Sequence, residues 1–262
     1  MLKKRLTAAV TVRNGLVVQS FGYNRYLPIG KPKVVVENLD RWGIDEIFIQ
    51  VIDRSRYNLG PDIKLIEEIS ASGILTPIMY AGGIQSEKQA ADIIRIGAER
   101  ICVDTLLHSN PDEVKKIALR LGSQAIVGCL PIGIDKNGIT FWHNYITNQM
   151  LHLDENLKDL IKNGFISEFL LIDYKNEGYD EAFNFKILDF LEKIDIPLIL
   201  FGGLSSDKIL ERAFDNPKVV AAAVGNRLNY TEHSVQKLKN LLHSQPIRKA
   251  YYHDRSIFKH YD

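Results

Sequence analysis

Short, nearly continuous apolar runs alternate along this chain with longer stretches whose apolar residues recur every three or four positions. The runs fall at residues 7–12, 46–52, 76–81, 100–103, 125–130, 168–172, 197–201 and 219–224. Runs of this length, apolar on both parities, predict parallel strands buried on both faces. The stretches between them predict helices: Ile63, Ile66 and Ile69 share one helical face, and residues 88–96 carry another. Asn110 is a helix cap, followed by Pro111 at the first helical position and by Asp112 and Glu113 in the first turn. Ser86 and Ser206, each followed by an acid, are placed to cap two more helices. Eight strand–helix units in succession predict an α/β fold, a (β/α)8 barrel.

The pattern also repeats. Pro-Ile-Met-Tyr-Ala-Gly-Gly-Ile at 77–84 returns 120 positions later as Pro-Leu-Ile-Leu-Phe-Gly-Gly-Leu at 197–204, and Ser86 and Lys88 answer Ser206 and Lys208. Val103-Asp104-Thr105 matches Val224-Gly225-Asn226 at an offset of 121. Glu46-Ile47-Phe48 matches Glu168-Phe169-Leu170, and Arg13-Asn14-Gly15 matches Lys136-Asn137-Gly138. Such a period is far longer than the roughly 20–50 residues of solenoids. It predicts one barrel over residues 1–262 made of half-repeats near 1–120 and 121–240, with a C-terminal extension from about 245. Residues 13–20 and 136–143 follow the first and fifth strands and read as short hairpin extensions, whereas 21–30 reads as a long aromatic loop able to cover a ligand or meet a partner. The extension, with Arg248, Tyr251, Tyr252, His253 and Phe258, is expected to pack its aromatics on the barrel in preference to binding RNA.

Charge narrows the partners. With 33 basic and 32 acidic residues, bulk electrostatics call for neither nucleic acid nor a membrane surface. Cys102 and Cys129 lie inside apolar runs, as buried thiols of a reducing compartment do, and form neither a disulfide framework nor a metal cluster. No apolar stretch is long enough for a signal peptide or a membrane span, so a soluble cytoplasmic protein is expected. Nothing in the sequence calls for a cofactor or a metal.

The candidate chemistry lies at strand ends. Gly82-Gly83 and Gly202-Gly203 close the third and seventh strands, and Asp104-Thr105 and Gly225-Asn226 close their neighbours, the fourth and eighth. Glycine lets backbone N–H groups approach an anion, and a following helix favours negative charge. Two such turns at equivalent positions predict two phosphate cradles on the C-terminal face of the barrel. Within them a carboxylate at Asp104 repels phosphate unless it points away or accepts a backbone hydrogen bond.

Along nearly its whole length the chain resembles the cyclase subunit of imidazole glycerol phosphate synthase. The resemblance is carried by Met1-Leu2-x-Lys4-Arg5, Val12-x-x-Gly15, Gly43-Ile44-Asp45-Glu46, Gly82-Gly83-Ile84, Gly97-Ala98-Glu99-Arg100, Asn110-Pro111, Gly122-Ser123-Gln124-Ala125-Ile126-Val127 and Gly202-Gly203. It implies a barrel that binds a bis-phosphorylated aminoimidazole-carboxamide ribonucleotide and receives ammonia from a glutaminase docked at its underside. In the family, aspartates ending the first and fifth strands act as general acid and base. Here those positions hold Thr11 and Pro131, and neither can titrate usefully. The acid that the family carries at the end of the second strand is displaced: Val51 stands there, with Asp53 one strand period beyond it. Asp53 and Asp173 are therefore the substitute acid–base candidates, with Glu177-Gly178 at the family's substrate loop. Arg5, Glu46, Arg100 and Glu168 match the charged ring at the family's barrel floor, which is either a plug or an ammonia gate; docking of the glutaminase there favours a gate. Two functions follow: a rewired cyclase of histidine biosynthesis, or a conduit that has lost the cyclase chemistry and supplies ammonia for amidination of a surface-glycan (lipopolysaccharide) sugar.

Overall fold

The computed structural model describes residues 3–229, 234–242 and 244–250. In chain order the first half contains β1 (Arg5–Arg13), β2 (Leu16–Phe21), β3 (Arg25–Gly30), α1 (Pro32–Arg41), β4 (Glu46–Val51), α2 (Ile63–Ser70), β5 (Ile78–Ala81), α3 (Glu87–Ile96), β6 (Arg100–Val103), α4 (Thr105–Ser109) and α5 (Pro111–Leu121). The second half contains β7 (Ile126–Ile134), β8 (Thr140–Asn144), β9 (Gln149–Leu151), α6 (Glu155–Lys162), β10 (Glu168–Asp173), β11 (Leu198–Phe201), α7 (Asp207–Asp215), β12 (Val219–Val224) and α8 (Ser234–Leu241).

Strands β1, β4, β5, β6, β7, β10, β11 and β12 pair in that order, each parallel to the next, and β12 returns to β1. The sheet is closed, a (β/α)8 barrel with its helices outside. Every apolar run of the sequence supplies one barrel strand. Because successive strand residues face opposite sides, one parity packs against the helices, as Leu6, Val36, Ile47, Ile66, Ile93 and Leu210 do. The other parity fills the lumen with a second apolar cluster that includes Ala9, Phe48, Met79, Leu170, Ile199 and Ala221. Among the described residues, no helix is long and apolar enough to cross a membrane.

The departures from the expected pattern are local. Residues 21–30 are not a loop: β3 pairs antiparallel with β2, which pairs with the end of β1 across the two-residue turn Asn14-Gly15. Both turn residues have positive φ, 50° and 76°, the combination that Asn-Gly supplies and that matches strand twist. The Arg13 guanidinium lies 4.3 Å from the centre of the Tyr26 ring and braces this hairpin. The segment 136–143 likewise enters an antiparallel hairpin, β8 pairing with β7 and then with β9. Between β10 and β11 the covering helix is 3-10, Phe185–Leu191.

Asn110 caps α5 by accepting from Glu113 N at 3.3 Å, and Ser86 caps α3 by accepting from Gln89 N at 3.3 Å. Ser206 holds the same place before α7, but its side chain makes no cap hydrogen bond. The expected packing of the C-terminal aromatics from Tyr251 onward lies outside the described residues.

Candidate functional site

The lumen is built in layers, and its floor is ionic. Arg5, Glu46, Arg100 and Glu168 point inward from the starts of four different strands. Arg5 Nη2 lies 2.6 Å from Glu168 Oε2, and Arg100 Nη1 lies 2.8 Å from the same oxygen. Glu46 completes the ring at 3.6 Å from Arg5 and 3.5 Å from Arg100, and it accepts from the Thr7 hydroxyl at 3.1 Å. Burial pushes the Glu168 carboxyl upward, but the Arg5 hydrogen bond and the Arg100 charge outweigh it and hold the group below its ordinary range. Burial opposes the charge on Arg5 as well, yet Glu46 and Glu168 keep its pKa above the usual value. Two cations and two anions in mutual contact offset a desolvation cost that none could bear alone. The four residues predicted as a ring therefore come together as one, and they close the floor.

Above the apolar middle the lumen ends in a neutral hydrogen-bond chain. Gln50 Nε2 donates to Thr11 Oγ1 at 2.7 Å, and the Tyr23 hydroxyl donates to Gln50 Oε1 at 2.9 Å. Thr11 and Gln50 are each 5 % exposed, so this pairing satisfies groups that burial would otherwise penalise. Burial, with a contribution from Glu177, pushes the Tyr23 hydroxyl well above its usual pKa, so it stays protonated. Pro131 lies across the lumen on β7, beside Ile172 of β10. Gln50 and Tyr23 were not singled out from the sequence. Gln50 carries a signal nonetheless, as the one polar residue inside an apolar strand on the same parity as Glu46 and Phe48.

The carboxylates proposed as substitutes are engaged with loops. Asp173 accepts from Asn176 Nδ2 at 2.8 Å, Asn184 N at 2.8 Å and Asn176 N at 3.4 Å, which pins the loop after β10. Burial raises its pKa against those three bonds. Asp53 Oδ2 accepts from Asn14 N at 2.7 Å, tying the β1–β2 turn to the end of β4, while its buried Oδ1 has no hydrogen-bond partner. Glu177, 2 % exposed, accepts from the Ser20 hydroxyl at 2.8 Å and Tyr23 N at 3.2 Å. It thereby locks the tip of the β2–β3 hairpin over the mouth, and burial raises its pKa.

The two glycine pairs open on the same face, all four with positive φ: 135° and 70° at Gly82 and Gly83, 105° and 79° at Gly202 and Gly203. A side chain on Gly82 would meet Val51 O at 2.6 Å and one on Gly202 would meet Asp173 O at 2.5 Å, so glycine is required at both. Around Gly202-Gly203 lies a cleft bordered by Gly178, Ser205, Gly225, Asn226 and Arg227. The Asn226 side chain is turned away to Ser20 O at 2.8 Å and Gly178 O at 3.3 Å, so what it can offer a ligand is backbone. Around Gly82-Gly83 the surroundings differ. Gly83 N donates to Ser55 Oγ at 3.0 Å, Thr105 Oγ1 is 3.2 Å from the Tyr145 hydroxyl, and Trp142 Nε1 donates to Asp104 Oδ1 at 3.0 Å. Burial pushes Asp104 up to about 8 despite the indole bond, so the acid is mostly neutral near pH 7. Ser55, Trp142 and Tyr145 were invisible as site residues in the sequence, because loops and the β8–β9 hairpin bring them in.

Comparison with known proteins agrees with this geometry. The family model described as "Histidine biosynthesis protein" matches residues 5–234. The imidazole glycerol phosphate synthase subunit HisF of Thermococcus onnurineus is 28 % identical over 258 residues, covering 96 % of this chain and 100 % of the relative. That of Exiguobacterium sp. is 26 % identical over 253 residues, covering 95 % and 97 %. A Vibrio vulnificus protein, provisionally named as subunit hisF2 of the same synthase, is 28 % identical over 240 residues, covering 89 % and 86 %. With its closed barrel, its doubled glycine turns and a match over most of its length, the chain belongs to the histidine biosynthesis protein family, as a HisF-like member.

Proposed function

We propose that this protein is a HisF-like barrel that has exchanged cyclase chemistry for conduction. It takes ammonia from a glutaminase docked beneath the Arg5–Glu46–Arg100–Glu168 floor and delivers it for amidination of a surface-glycan (lipopolysaccharide) sugar. One observation carries this reading. Where the resemblance places an acid–base pair, the mouth holds Thr11 bonded to Gln50 and Pro131 opposite, with no carboxylate at either position. A hydroxyl that accepts an amide hydrogen bond beside a protonated tyrosine can order a small ligand, but it cannot cycle a proton near neutral pH. Below it the lumen is packed with Ala9, Phe48, Met79 and Leu170, an apolar interior that neutral ammonia would enter at far less cost than ammonium.

The ligand at the mouth is a phosphorylated small molecule of the general kind that the resemblance implies. Backbone N–H groups around Gly202-Gly203 and the Arg227 side chain would supply its anchor. The second reading is an active cyclase with a substitute acid or base. It is favoured by Asp53, whose buried Oδ1 has no partner at the rim of the mouth. A steady-state assay with the cyclase substrate and an ammonium salt separates the two, since it needs no partner. The conduit reading expects almost no turnover; turnover near that of an ordinary cyclase, abolished in Asp53→Asn, would establish the other.

A further inference from the structure

The duplicated glycine turns present the same backbone twice, yet their surroundings have diverged. At Gly82-Gly83 the anion-facing donors already have partners within the protein. The Gly83 N–H is bound to Ser55 Oγ, and the Thr105 hydroxyl pairs with that of Tyr145. Asp104, one residue before Thr105, is held in the same place by Trp142. Gly60 O stands over Gly83 from the β4–α2 loop, and that loop is fastened by three bonds from Arg54: to Gly60 O at 2.7 Å, Pro61 O at 3.0 Å and Leu59 O at 3.1 Å.

At Gly202-Gly203 the Asn226 side chain, counterpart of Thr105, is likewise engaged, with Ser20 and Gly178, but two other groups are free. Among the described residues, the Gly203 N–H has no acceptor, and the buried Ser206 Oγ, which follows the turn, has no partner, whereas Ser86 in the other half is satisfied. A cleft lies here, with the exposed Arg227 at its edge.

Granting the phosphorylated ligand of the reading above, we propose that it carries one phosphate, held at Gly202-Gly203. In this proposal Ser55 and Tyr145 set that specificity by occupying the Gly82-Gly83 cradle with their own hydroxyls. The physical basis is competition. A phosphate entering the first cradle must break the Ser55–Gly83 and Thr105–Tyr145 bonds and sit beside Asp104, whose ionisation it would suppress further. Entering the second, it satisfies donors that nothing else satisfies. Buried near Asp104, the Tyr145 hydroxyl is pushed up to about 12, so it stays a neutral plug across the working pH range.

The full-length chain, isotopically labelled, can be titrated with inorganic phosphate while its backbone amides are followed by NMR. The amides of Gly202, Gly203 and Gly225 should move and saturate together, and those of Gly82, Gly83 and Thr105 should not. Calorimetry with ribose 5-phosphate and ribose 1,5-bisphosphate should then give affinities within about threefold of each other. A second phosphate held by charge-assisted bonds would instead add roughly tenfold or more. Movement at both cradles, or a tenfold preference for the bisphosphate, overturns the single-phosphate proposal and leaves the phosphorylated-ligand reading standing. Movement at neither cradle overturns that reading itself. In the Ser55→Ala, Tyr145→Phe double variant the Gly83 amide should begin to respond and the bisphosphate should gain about tenfold. A double variant that folds and still ignores the bisphosphate removes Ser55 and Tyr145 as the determinants.

Discussion

The floor and the mouth of this barrel are lined by the same eight strands, a few residues apart, yet they solve opposite problems. At the floor four charges are buried together, and each meets an opposite charge. At the mouth the lumen itself ends in a neutral chain of Thr11, Gln50 and Tyr23, the nearby Asp104 is held largely protonated, and the acids around the rim, Asp53, Asp173 and Glu177, are bound to loops. A barrel that performed acid–base chemistry would be expected to keep titratable groups at the mouth. One that only needed closing below would not require two arginines and two glutamates there, because apolar residues of similar size do as well or better for stability. In the conduit reading proposed above, the floor is the retained entrance and the mouth the end that lost its chemistry.

The largest effect that would break this contrast is catalytic. Ammonia-dependent turnover of the cyclase substrate should fall short of an ordinary cyclase by roughly 10²–10⁴-fold for each missing acid or base. Restoring aspartate in a Thr11→Asp, Pro131→Asp variant should recover part of it in a steady-state assay. Failure of the double variant to gain activity while it remains folded would move the cause of inactivity from the mouth to the cradles.

Next in size is the floor. Arg5→Ala leaves Glu46 and Glu168 short of a cation and should cost about 3–5 kcal/mol, the usual penalty for breaking a buried ion pair from one side. Thermal unfolding should show a clear drop in Tm, and glutaminase pull-down or ammonia transfer should weaken with it. Arg5→Met is the sharper control, since replacing the ion by an apolar chain of similar length tests plug against gate. If Arg5→Met keeps both stability and ammonia transfer, the ring is a plug only.

The barrel itself was legible because its signal is physical and repeated. Strands buried on both faces cannot afford polar residues, so their apolar runs stand out, and a twofold repeat states the pattern twice. Arg5, Glu46, Arg100 and Glu168 were legible through the resemblance, which places a charged ring at the starts of four strands. The mouth was harder to read. Ser55 and Tyr145 reach Gly83 and Thr105 from loops whose paths no periodicity encodes, and Trp142 arrives on a hairpin strand, β8, registered against Ile132. The segment 21–30 reads as a loop because Gly22, Asn24, Pro28 and Gly30 are turn residues, whereas β3 is an edge strand that tolerates proline. Ser206 holds the expected place before α7, but its hydroxyl is buried without a partner and makes no cap bond.

A smaller effect tests whether the mouth is a designed neutral chain or simply filler. Thr11→Val keeps the shape of the side chain and removes the acceptor, leaving the Gln50 amide buried and unpaired. That should cost about 1–3 kcal/mol in denaturant unfolding. Thr11→Val combined with Gln50→Leu removes both polar partners and should recover most of the loss, because an apolar pair of similar shape has nothing left to satisfy. Equal losses in the single and double variants would mean that packing, and not the hydrogen bond, is what Thr11 supplies.

The smallest effect separates the two ends by pH alone. Asp104 has a folded-state pKa near 8, above its unfolded value, so between about pH 4 and 8 the folded protein binds a proton that the unfolded chain releases. Its contribution is complete at the acid side of that window and is lost as pH rises through about 8, with a slope of at most about 1.4 kcal/mol per pH unit. Glu168 runs the other way: its folded pKa is depressed, so its contribution is present above the ordinary glutamate range and disappears on acidification through the folded value. Asp104→Asn keeps an oxygen for the Trp142 indole and removes the proton, and should therefore flatten the decline between pH 6 and 7 by about 1 kcal/mol while leaving the acid limb unchanged. Arg5→Ala should do the reverse, removing much of what depresses Glu168 and softening the acid limb while leaving the neutral slope alone. If both variants altered the same limb, the floor and the mouth would be electrostatically one site, and the separation between entrance and chemical end would have to be abandoned.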